Sequence, residues 1–236
     1  MKIVKILIVD DNKEITELLK IYTDNEGYES ITAYDGQEAL DQFADHPDID
    51  LIILDVMMPE KDGIEVVKEI RGNSQVPILM LSAKVSDTDK IKGLVNGADD
   101  YVTKPFNPLE VMARVKSLLR RSQHFNEKLS DTKEITVGPL VIDKEGHTVK
   151  TDRGEYIQLT ALEFGILHLL ASHPSRVFSA DEIFERVWKQ DSVVSSKTVM
   201  VHVSHLRDKI AQATDGEQVV ETVWGVGYKI SSDMVN

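Results

Sequence analysis

Five side chains able to take part in chemistry share one feature in the first half of the chain: each lies at the end of an apolar run. They are Asp10, Asp11, Asp55, Ser82 and Lys104. Close carboxylates repel one another, so they are tolerable together where a cation lies between them. Three carboxylates form a hard oxygen site of the kind that Mg²⁺ binds, and a metal-bound aspartate can attack phosphorus to form an aspartyl phosphate. For the Asp10-Asp11 pair alone, a solvated turn with an aspartate at a helix N-cap is the alternative.

Alternating strand and helix patterns must position these residues. Apolar β-type runs lie at 3–9, 28–33, 50–54, 76–81 and 99–103, and helical periodicity recurs at 13–26, 36–46, 62–71, 86–96 and 107–121. Five strand–helix units predict an α/β fold, a doubly wound (βα)5 sheet of the flavodoxin-like kind with helices on both faces. Ligands bind such a sheet at the carboxyl ends of its strands, so the five side chains should meet at one edge.

The second half of the chain follows a different pattern. Residues 122–134 are polar and lack periodicity, which predicts a linker between a domain at 1–121 and another at 135–236. Short strands are predicted around 135–142, 146–151 and 154–158, and helices near 160–172, 179–188 and 195–212. The final segment, QVVETVWGVGYKI, predicts a β-hairpin with glycines at its turn. This order of elements predicts a winged helix-turn-helix domain.

Composition limits the classes of function. The 236 residues carry a net charge of −13, which argues against indiscriminate binding to nucleic acid or to an anionic membrane. The chain has no cysteine, so disulfides, thiolate metal sites and cysteine nucleophiles are excluded. No run of 18 apolar residues is present, and Met1-Lys2-Ile3 leads directly into a predicted strand. We therefore expect no transmembrane helix, no signal peptide and a cytoplasmic location.

Four motifs in register, VDD, LDVMMPEKDG, LSAK and TKPF, resemble the receiver domain of two-component response regulators across residues 1–121. The resemblance implies that Asp55 is the phosphoacceptor. It implies that Mg²⁺ binds Asp11, Asp55 and the backbone carbonyl of Met57, with Asp10 acting largely through water. It also implies that Lys104 holds the phosphate and that the peptide bond between Lys104 and Pro105 is cis.

The same resemblance implies a route by which the signal leaves the site. Ser82 moves toward the phosphate and Tyr101 turns inward, although read alone Ser82 is a strand-end hydroxyl bonded to backbone and Tyr101 a packed aromatic. In the family, the surface of the predicted helix at 86–96 and of the fifth strand then makes a symmetric dimer. The implied interface consists of the pairs Lys90 with Glu110, Asp100 with Arg114 and Asp99 with Arg121, around the apolar patch of Ile91, Leu94 and Ala113. Without the resemblance these are ordinary solvated charges.

The helix at 195–212 indicates a DNA-reading element. Helical spacing predicts that Val199, Val203, Leu206 and Ile210 are core, which leaves an opposite face for DNA. Lys197 on that face and Arg207 at its flank suit phosphates, and Val201, Ser204 and His205 can reach base edges. A solvated amphipathic helix is the alternative, since the face is not strongly basic.

Residues 135–232 resemble the OmpR/PhoB subfamily of response regulators, in which this helix reads the major groove and the hairpin wing touches the minor groove. Trp188 and Tyr228 match family positions near DNA phosphate. The departures are Ser204-His205, where two arginines are common, and Trp224, where the wing often carries arginine. The TVWGVGY wing is similar to that of VanR-like regulators of glycopeptide resistance.

The sequence therefore predicts a non-enzymatic response regulator. A sensor histidine kinase would be its phosphodonor, and phosphorylation would promote homodimerisation and binding to promoter DNA, with RNA polymerase as a further partner and no membrane partner. The alternative is a Mg²⁺-dependent phosphotransferase or phosphatase that acts on small substrates through Asp55. It leaves the second domain unexplained, and the short loops after the strands give little room for a substrate pocket.

Overall fold

In the computed structural model, residues 3–83, 97–124, 134–188 and 197–235 are described. The chain divides into two units, Met1–Arg120 and Arg121–Asn236. The predicted helix at 86–96 and most of the predicted linker lie outside the described residues. None of the helices within the described ranges is long and apolar enough to cross a membrane.

A parallel five-stranded sheet in the order β2-β1-β3-β4-β5 forms the centre of the first unit. The middle strands are continuous apolar runs because helices cover both of their faces. The strands are β1 (Lys5–Val9), β2 (Glu29–Ala33), β3 (Leu51–Asp55), β4 (Ile78–Ser82) and β5 (Asp100–Thr103), and the helices are α1 (Lys13–Asn25), α2 (Gly36–Asp45), α3 (Gly63–Arg71) and α4 (Pro108–His124). The predicted doubly wound α/β sheet is confirmed.

Alternate residues of each central strand enter two separate cores. Leu7 and Val9 of β1 pack with Val66 of α3, whereas Ile6 and Ile8 pack on the other face. The helices that follow the strands begin at side chains that accept hydrogen bonds from free backbone amides, as Asn12 does for α1. The caps therefore start each helix within a few residues of the sheet edge where the acidic side chains lie.

Among its described residues, the second unit combines a three-stranded antiparallel sheet, three helices and a terminal hairpin. Its elements are β6 (Glu134–Val137), β7 (Leu140–Asp143), β8 (Thr148–Thr151), α5 (Ala161–Ala171), α6 (Ala180–Trp188), α7 (Lys197–Ala213), β9 (Glu221–Val223), β10 (Gly227–Lys229) and a 3₁₀ turn at Ser232–Met234. Helix α5 begins with a capping box between Thr160 and Glu163. This is the predicted winged helix-turn-helix order.

Two predicted strands differ from the structure. The run at 135–142 forms two strands, because Gly138 adopts a φ of 53° and, with Pro139, turns the chain between β6 and β7. The run at 154–158 is not a strand, since it makes one isolated bridge through Tyr156. Helix α4 also continues through residues 122–124 of the predicted linker, which contain no glycine or proline to end it.

Candidate functional site: an acidic cluster and a winged helix

The carboxyl ends of β1 and β3 bring three carboxylates together. One oxygen from each of Asp10, Asp11 and Asp55 can be chosen so that all three lie within 4.8 Å of one another. Asp10 and Asp55 are buried, with exposed fractions of 0% and 3%, whereas Asp11 is exposed. Buried carboxylates of like charge destabilise the fold unless cations or hydrogen bonds compensate them. The predicted cluster therefore exists, and it needs a counter-charge.

Lys104 supplies that counter-charge from the end of β5. Its Nζ donates hydrogen bonds to Asp10 Oδ2 at 2.6 Å and to Asp55 Oδ2 at 2.8 Å. Its backbone amide donates to the carbonyl of Ser82 at 2.7 Å, and the bond between Lys104 and Pro105 is cis. One ammonium thus bridges the two buried carboxylates across the sheet edge.

The pKa shifts show which effect dominates at each partner. Burial raises the pKa of Asp55, and the lowering effect of Lys104 does not cancel it. At Lys104 burial lowers the pKa, but the hydrogen bonds to Asp10 and Asp55 outweigh burial and the pKa is raised. Lys104 therefore stays charged, while the ionised form of Asp55 is held in the site at a cost in stability.

The donor set fits a hard divalent cation. Asp10 Oδ1 accepts from the amide of Asn12 at 3.0 Å, and Asp55 Oδ1 accepts from the amide of Met57 at 3.3 Å. These bonds orient both carboxylates, and carboxylate oxygens are the ligands that Mg²⁺ prefers. Met57 itself is 52% exposed and lies two residues after Asp55 in the chain.

Ser82 and Tyr101 lie on neighbouring strands next to the cluster. Ser82 ends β4, is 6% exposed and pairs in register with Thr103. Tyr101 is partly buried and packs against the core on the α3 side of the sheet. The parallel register thus brings Ser82 to the same sheet edge as Asp55. Tyr101 pairs with Met80, two residues further from that edge.

Part of the predicted dimer face forms ion pairs within this chain. Arg114 is 8% exposed and contacts Asp100 at 2.9 Å and Glu110 at 3.0 Å. Ala113 is exposed beside it. The predicted interface residues Lys90, Ile91 and Leu94 and the side chain of Arg121 lie outside the described residues.

Asp99 has a different partner from the predicted one. It is 3% exposed, and its Oδ2 accepts from Arg71 Nη2 and from the amide of Ile78, both at 2.8 Å. Arg71 also donates to the carbonyls of Gly97 and Val76. Asp99 is thus a buried structural residue in this structure and not an exposed interface charge. The sequence carried no signal for this cluster, because Arg71 and Asp99 come from segments that are 28 residues apart in the chain.

Helix α7 divides into a buried stripe and an open face. The predicted core stripe is confirmed, because Val199, Val203, Leu206 and Ile210 are at most 1% exposed. Ser204 and Asp208 are exposed, and Val201 and His205 are half-buried on the same helix. Met200, which the sequence interpretation did not assign, is 57% exposed on this helix. The side chain of Lys197 lies outside the described residues.

Trp188 is a core residue, which corrects its predicted place near DNA phosphate. It is 1% exposed, and its ring stacks on Phe184 at 5.1 Å and packs against His202 at 5.5 Å. The sequence around Trp188 at the end of α6 does not distinguish a buried indole ring from an exposed one. The position of α7 against α6 decides that this one is buried.

Arg207 connects α7 to the hairpin. Its Nε donates to the carbonyl of Val220 at 2.9 Å and its Nη2 donates to Thr222 Oγ1 at 2.8 Å. Its guanidinium also lies 5.7 Å from the ring centre of the half-buried Tyr228. The structure therefore gives Arg207 partners within the protein, which differs from the predicted role as a phosphate contact.

The tip of the hairpin is apolar and exposed. Trp224 is 91% exposed and Val226 is 57% exposed, on either side of Gly225. Gly227 has no room for a side chain, because an added Cβ would lie 2.0 Å from the carbonyl oxygen of Phe178. The hairpin is thereby fixed at its base while its tip is open.

Together, the acidic cluster at the carboxyl edge of a (βα)5-type sheet and the winged helix-turn-helix unit define a response regulator with a DNA-binding output domain. The family profile described as "Response regulator receiver domain" matches residues 6–116, and the profile "Transcriptional regulatory protein, C terminal" matches residues 154–230. The chain belongs to the response regulator family of the OmpR/PhoB type.

Known relatives agree with this assignment. Regulatory protein VanRc of Enterococcus gallinarum is 43% identical over 234 residues, which cover 96% of this chain and 98% of the relative. Regulatory protein VanR of Enterococcus faecium is 41% identical over 228 residues, with 96% and 98% covered. The solved structure of DrrB, an OmpR/PhoB homolog from Thermotoga maritima, has 30% identity and a TM-score of 0.50, and 98% of this chain and 100% of DrrB are covered. A solved structure of a RitR mutant shares the fold, with a TM-score of 0.73 at 24% identity and coverage of 97% and 99%.

These matches favour the transcriptional regulator over the phosphotransferase, because they account for both halves of the chain. The receiver domain implies a histidine kinase as phosphodonor, and the C-terminal domain implies DNA as a partner.

Proposed function

We propose that Asp55 accepts a phosphoryl group from a sensor histidine kinase and that this modification controls promoter binding by the second unit. The observation that carries the proposal is the bridge from Lys104 Nζ to Asp10 and Asp55. The bridge holds a cation 2.8 Å from the Asp55 carboxylate, where a transferred phosphoryl group would develop negative charge. Ser82 at the same edge would donate a hydrogen bond to the phosphate, and Tyr101 would respond to its movement.

The acidic cluster would hold Mg²⁺ through Asp11, Asp55 and the backbone carbonyl of Met57, with Asp10 acting largely through water. When bound, the ion supplies positive charge to the phosphoryl oxygens and offsets repulsion among the carboxylates. Lys104 remains a second cation for the phosphate, and the amide of Met57 keeps one oxygen of Asp55 fixed. The chain's own chemistry is then limited to accepting the phosphoryl group on Asp55 and hydrolysing the resulting aspartyl phosphate.

Phosphorylation would act on the second unit through dimerisation. We place the receiver domain at 1–121, the linker at 122–134 and the DNA-binding domain at 135–236. The dimer face would include Glu110, Ala113 and Arg114 together with Lys90, Ile91, Leu94, Asp100 and Arg121. The assignment of Asp99 to this face is not proposed again, because Asp99 is buried against Arg71. The net charge of −13 opposes binding to DNA, so one copy of the chain gains little affinity by itself. A dimer would make twice as many DNA contacts.

The open face of α7 would read base edges in the major groove. Val201 suits a thymine methyl group, and Ser204 and His205 offer neutral donors and acceptors. Lys197 would contact phosphate, and the hairpin with Tyr228 would lie beside the backbone. RNA polymerase is a further proposed partner, and the expected site of action is the cytoplasm.

Labelling with acetyl phosphate and Mg²⁺ tests the phosphoacceptor. The wild-type protein should become phosphorylated and Asp55→Asn should not, while the exposed-carboxylate control Asp48→Asn should be labelled as wild type. Label that persists on another residue of Asp55→Asn would contradict the assignment. Selection of duplex DNA from a random library by the phosphorylated protein tests the output, and enrichment of no sequence would contradict DNA recognition.

A further inference from the structure

Glu163 in the first turn of α5 has the most buried carboxylate among the ion pairs that the structure describes in the second unit. Its side chain is 3% exposed, whereas the carboxylates of the other pairs are at least 29% exposed. Oε2 of Glu163 accepts hydrogen bonds from the amide of Thr160 at 2.8 Å and from Lys209 Nζ at 2.7 Å. A swing of this carboxylate would also break the cap of α5, so Glu163 is a fixed anchor for Lys209.

Lys209 and Arg207 lie on opposite flanks of α7. Each residue of an α-helix is turned by about 100° from the one before, so positions two apart point about 160° away from each other. The exposed Ser204 and Asp208 lie between these flanks on the outer side of the helix. Arg207 is bonded to the segment that leads into the hairpin, and Lys209 is bonded to the start of α5. The protein therefore holds α7 from both sides.

These two contacts restrain the rotation of α7 about its own axis. The apolar contacts of the core stripe are not directional, so they tolerate a small rotation. Hydrogen bonds are directional, and those of Arg207 and Lys209 are only 2.7 to 2.9 Å long. A rotation of about 20° moves the end of a side chain by about 2 Å, because a helix with its side chains has a radius of about 5–6 Å. Such a rotation would break the hydrogen bonds on one flank.

We propose that Lys209, held by Glu163, is a positioning residue that sets the rotation of α7 and thereby decides which side chains its open face presents to DNA bases. This inference rests on the proposed function of α7 in reading DNA. Lys209 acts through the helix and needs no contact with DNA of its own. A rotated helix would keep its general attraction to the phosphates but would lose the base-edge contacts that specify a sequence.

Neutralising Glu163 separates this role from simple electrostatics. Glu163→Gln keeps an oxygen for the cap of α5, because glutamine also serves in a capping box, but it weakens the bond to Lys209. On charge alone, loss of an acid should tighten binding to DNA. The proposal predicts the reverse for a duplex enriched from a random library by the phosphorylated wild-type protein: binding about tenfold weaker, which corresponds to one lost base-edge contact. Binding to a scrambled duplex should change by less than about twofold.

Lys209→Met should cause the same loss with an unchanged slope of log affinity against log salt, and Lys209→Arg should retain most of the affinity. Because the two residues act as one pair, Glu163→Gln combined with Lys209→Met should bind no more weakly than either single variant. Asp215→Asn and Arg153→Met are the charge-matched controls. Their ion pair has the same 2.7 Å separation but is exposed, so both variants should bind as wild type does.

Tryptophan fluorescence shows whether each variant is folded in the binding assay, and Glu163→Gln carries the test if Lys209→Met is not. Failure of the wild-type protein to enrich any duplex would overturn the proposed function itself. Two results would overturn only the inference about Lys209 while wild type still binds its duplex. One is that Glu163→Gln binds that duplex as tightly as wild type or more tightly, and the other is that Lys209→Met reduces the salt slope by about one, as loss of a phosphate contact does.

Discussion

Replacing Lys104 by methionine tests whether one ammonium compensates the acidic cluster. The change keeps most of the side-chain volume and removes two charge-assisted hydrogen bonds, to Asp10 at 2.6 Å and to Asp55 at 2.8 Å. Removing one partner of a buried ion pair costs about 3–5 kcal/mol, because the remaining charge stays buried. The side chain of Lys104 is 18% exposed, so we expect the lower part of this range, about 3 kcal/mol in the free energy of unfolding.

Urea denaturation without Mg²⁺ measures this loss. At a slope of about 1.5 kcal/mol per molar urea, the unfolding midpoint of the first unit should fall by about 2 M. Far-UV circular dichroism follows both units. Tryptophan fluorescence follows the second unit alone, because both tryptophans, Trp188 and Trp224, lie there. The fluorescence transition should therefore stay in place while the dichroism transition of the first unit moves.

Lys116→Met is the matched control. Lys116 contacts Glu26 at 2.7 Å, but both side chains lie at the surface, where water screens the pair and it contributes little to stability. Adding Mg²⁺ should restore much of the stability of Lys104→Met, since the three carboxylates then regain a cation. The reasoning would be refuted if Lys104→Met lost no more stability than Lys116→Met, or if Mg²⁺ failed to stabilise it.

Three further predictions follow from single residues. Met57 cannot position an attacking water well by hydrogen bonding, so the phosphoryl group on Asp55 should persist for many minutes. Met57→Asn should shorten the lifetime of the phosphoryl group. Loss of the group within seconds from the wild-type protein would contradict this prediction. Burial lowers the pKa of His147 to about 3 from its usual 6.5, so the unfolded chain binds a proton more tightly than the folded chain does. The free energy of unfolding should therefore fall as the pH drops from about 6.5 towards 3, by less than about 1 kcal/mol per pH unit. His147→Asn should flatten this dependence in urea midpoints followed by tryptophan fluorescence, and an equally steep profile in the variant would exclude His147 as the cause. Arg207→Met should weaken DNA binding with little change in its salt slope, because its guanidinium bonds Val220 and Thr222; a slope reduced by about one would instead identify a phosphate contact.

The sequence by itself determined the fold and the location of the acidic cluster. Apolar periodicity is a local property, and the runs ending at Asp10 and Asp55 form strands wherever helices can cover both faces. Parallel strands bring their carboxyl ends to one edge, so the location of the cluster follows from the alternating pattern, whereas the strand order β2-β1-β3-β4-β5 comes from the structure. The buried stripe of α7 was predicted for the same reason, since helical spacing alone selects one face.

Tertiary structure alone decided which charged and aromatic side chains are used inside the protein. Asp99, Trp188 and Arg207 carry the same sequence signals as exposed functional residues. Within the fold, however, each contacts a residue of another element: Arg71, His202 and Val220, respectively. The partner of a polar group comes from a distant segment, and its distance is set by the packing of whole elements. A buried charge must find a partner because desolvation is costly, but the sequence does not state which remote side chain arrives within hydrogen-bonding distance.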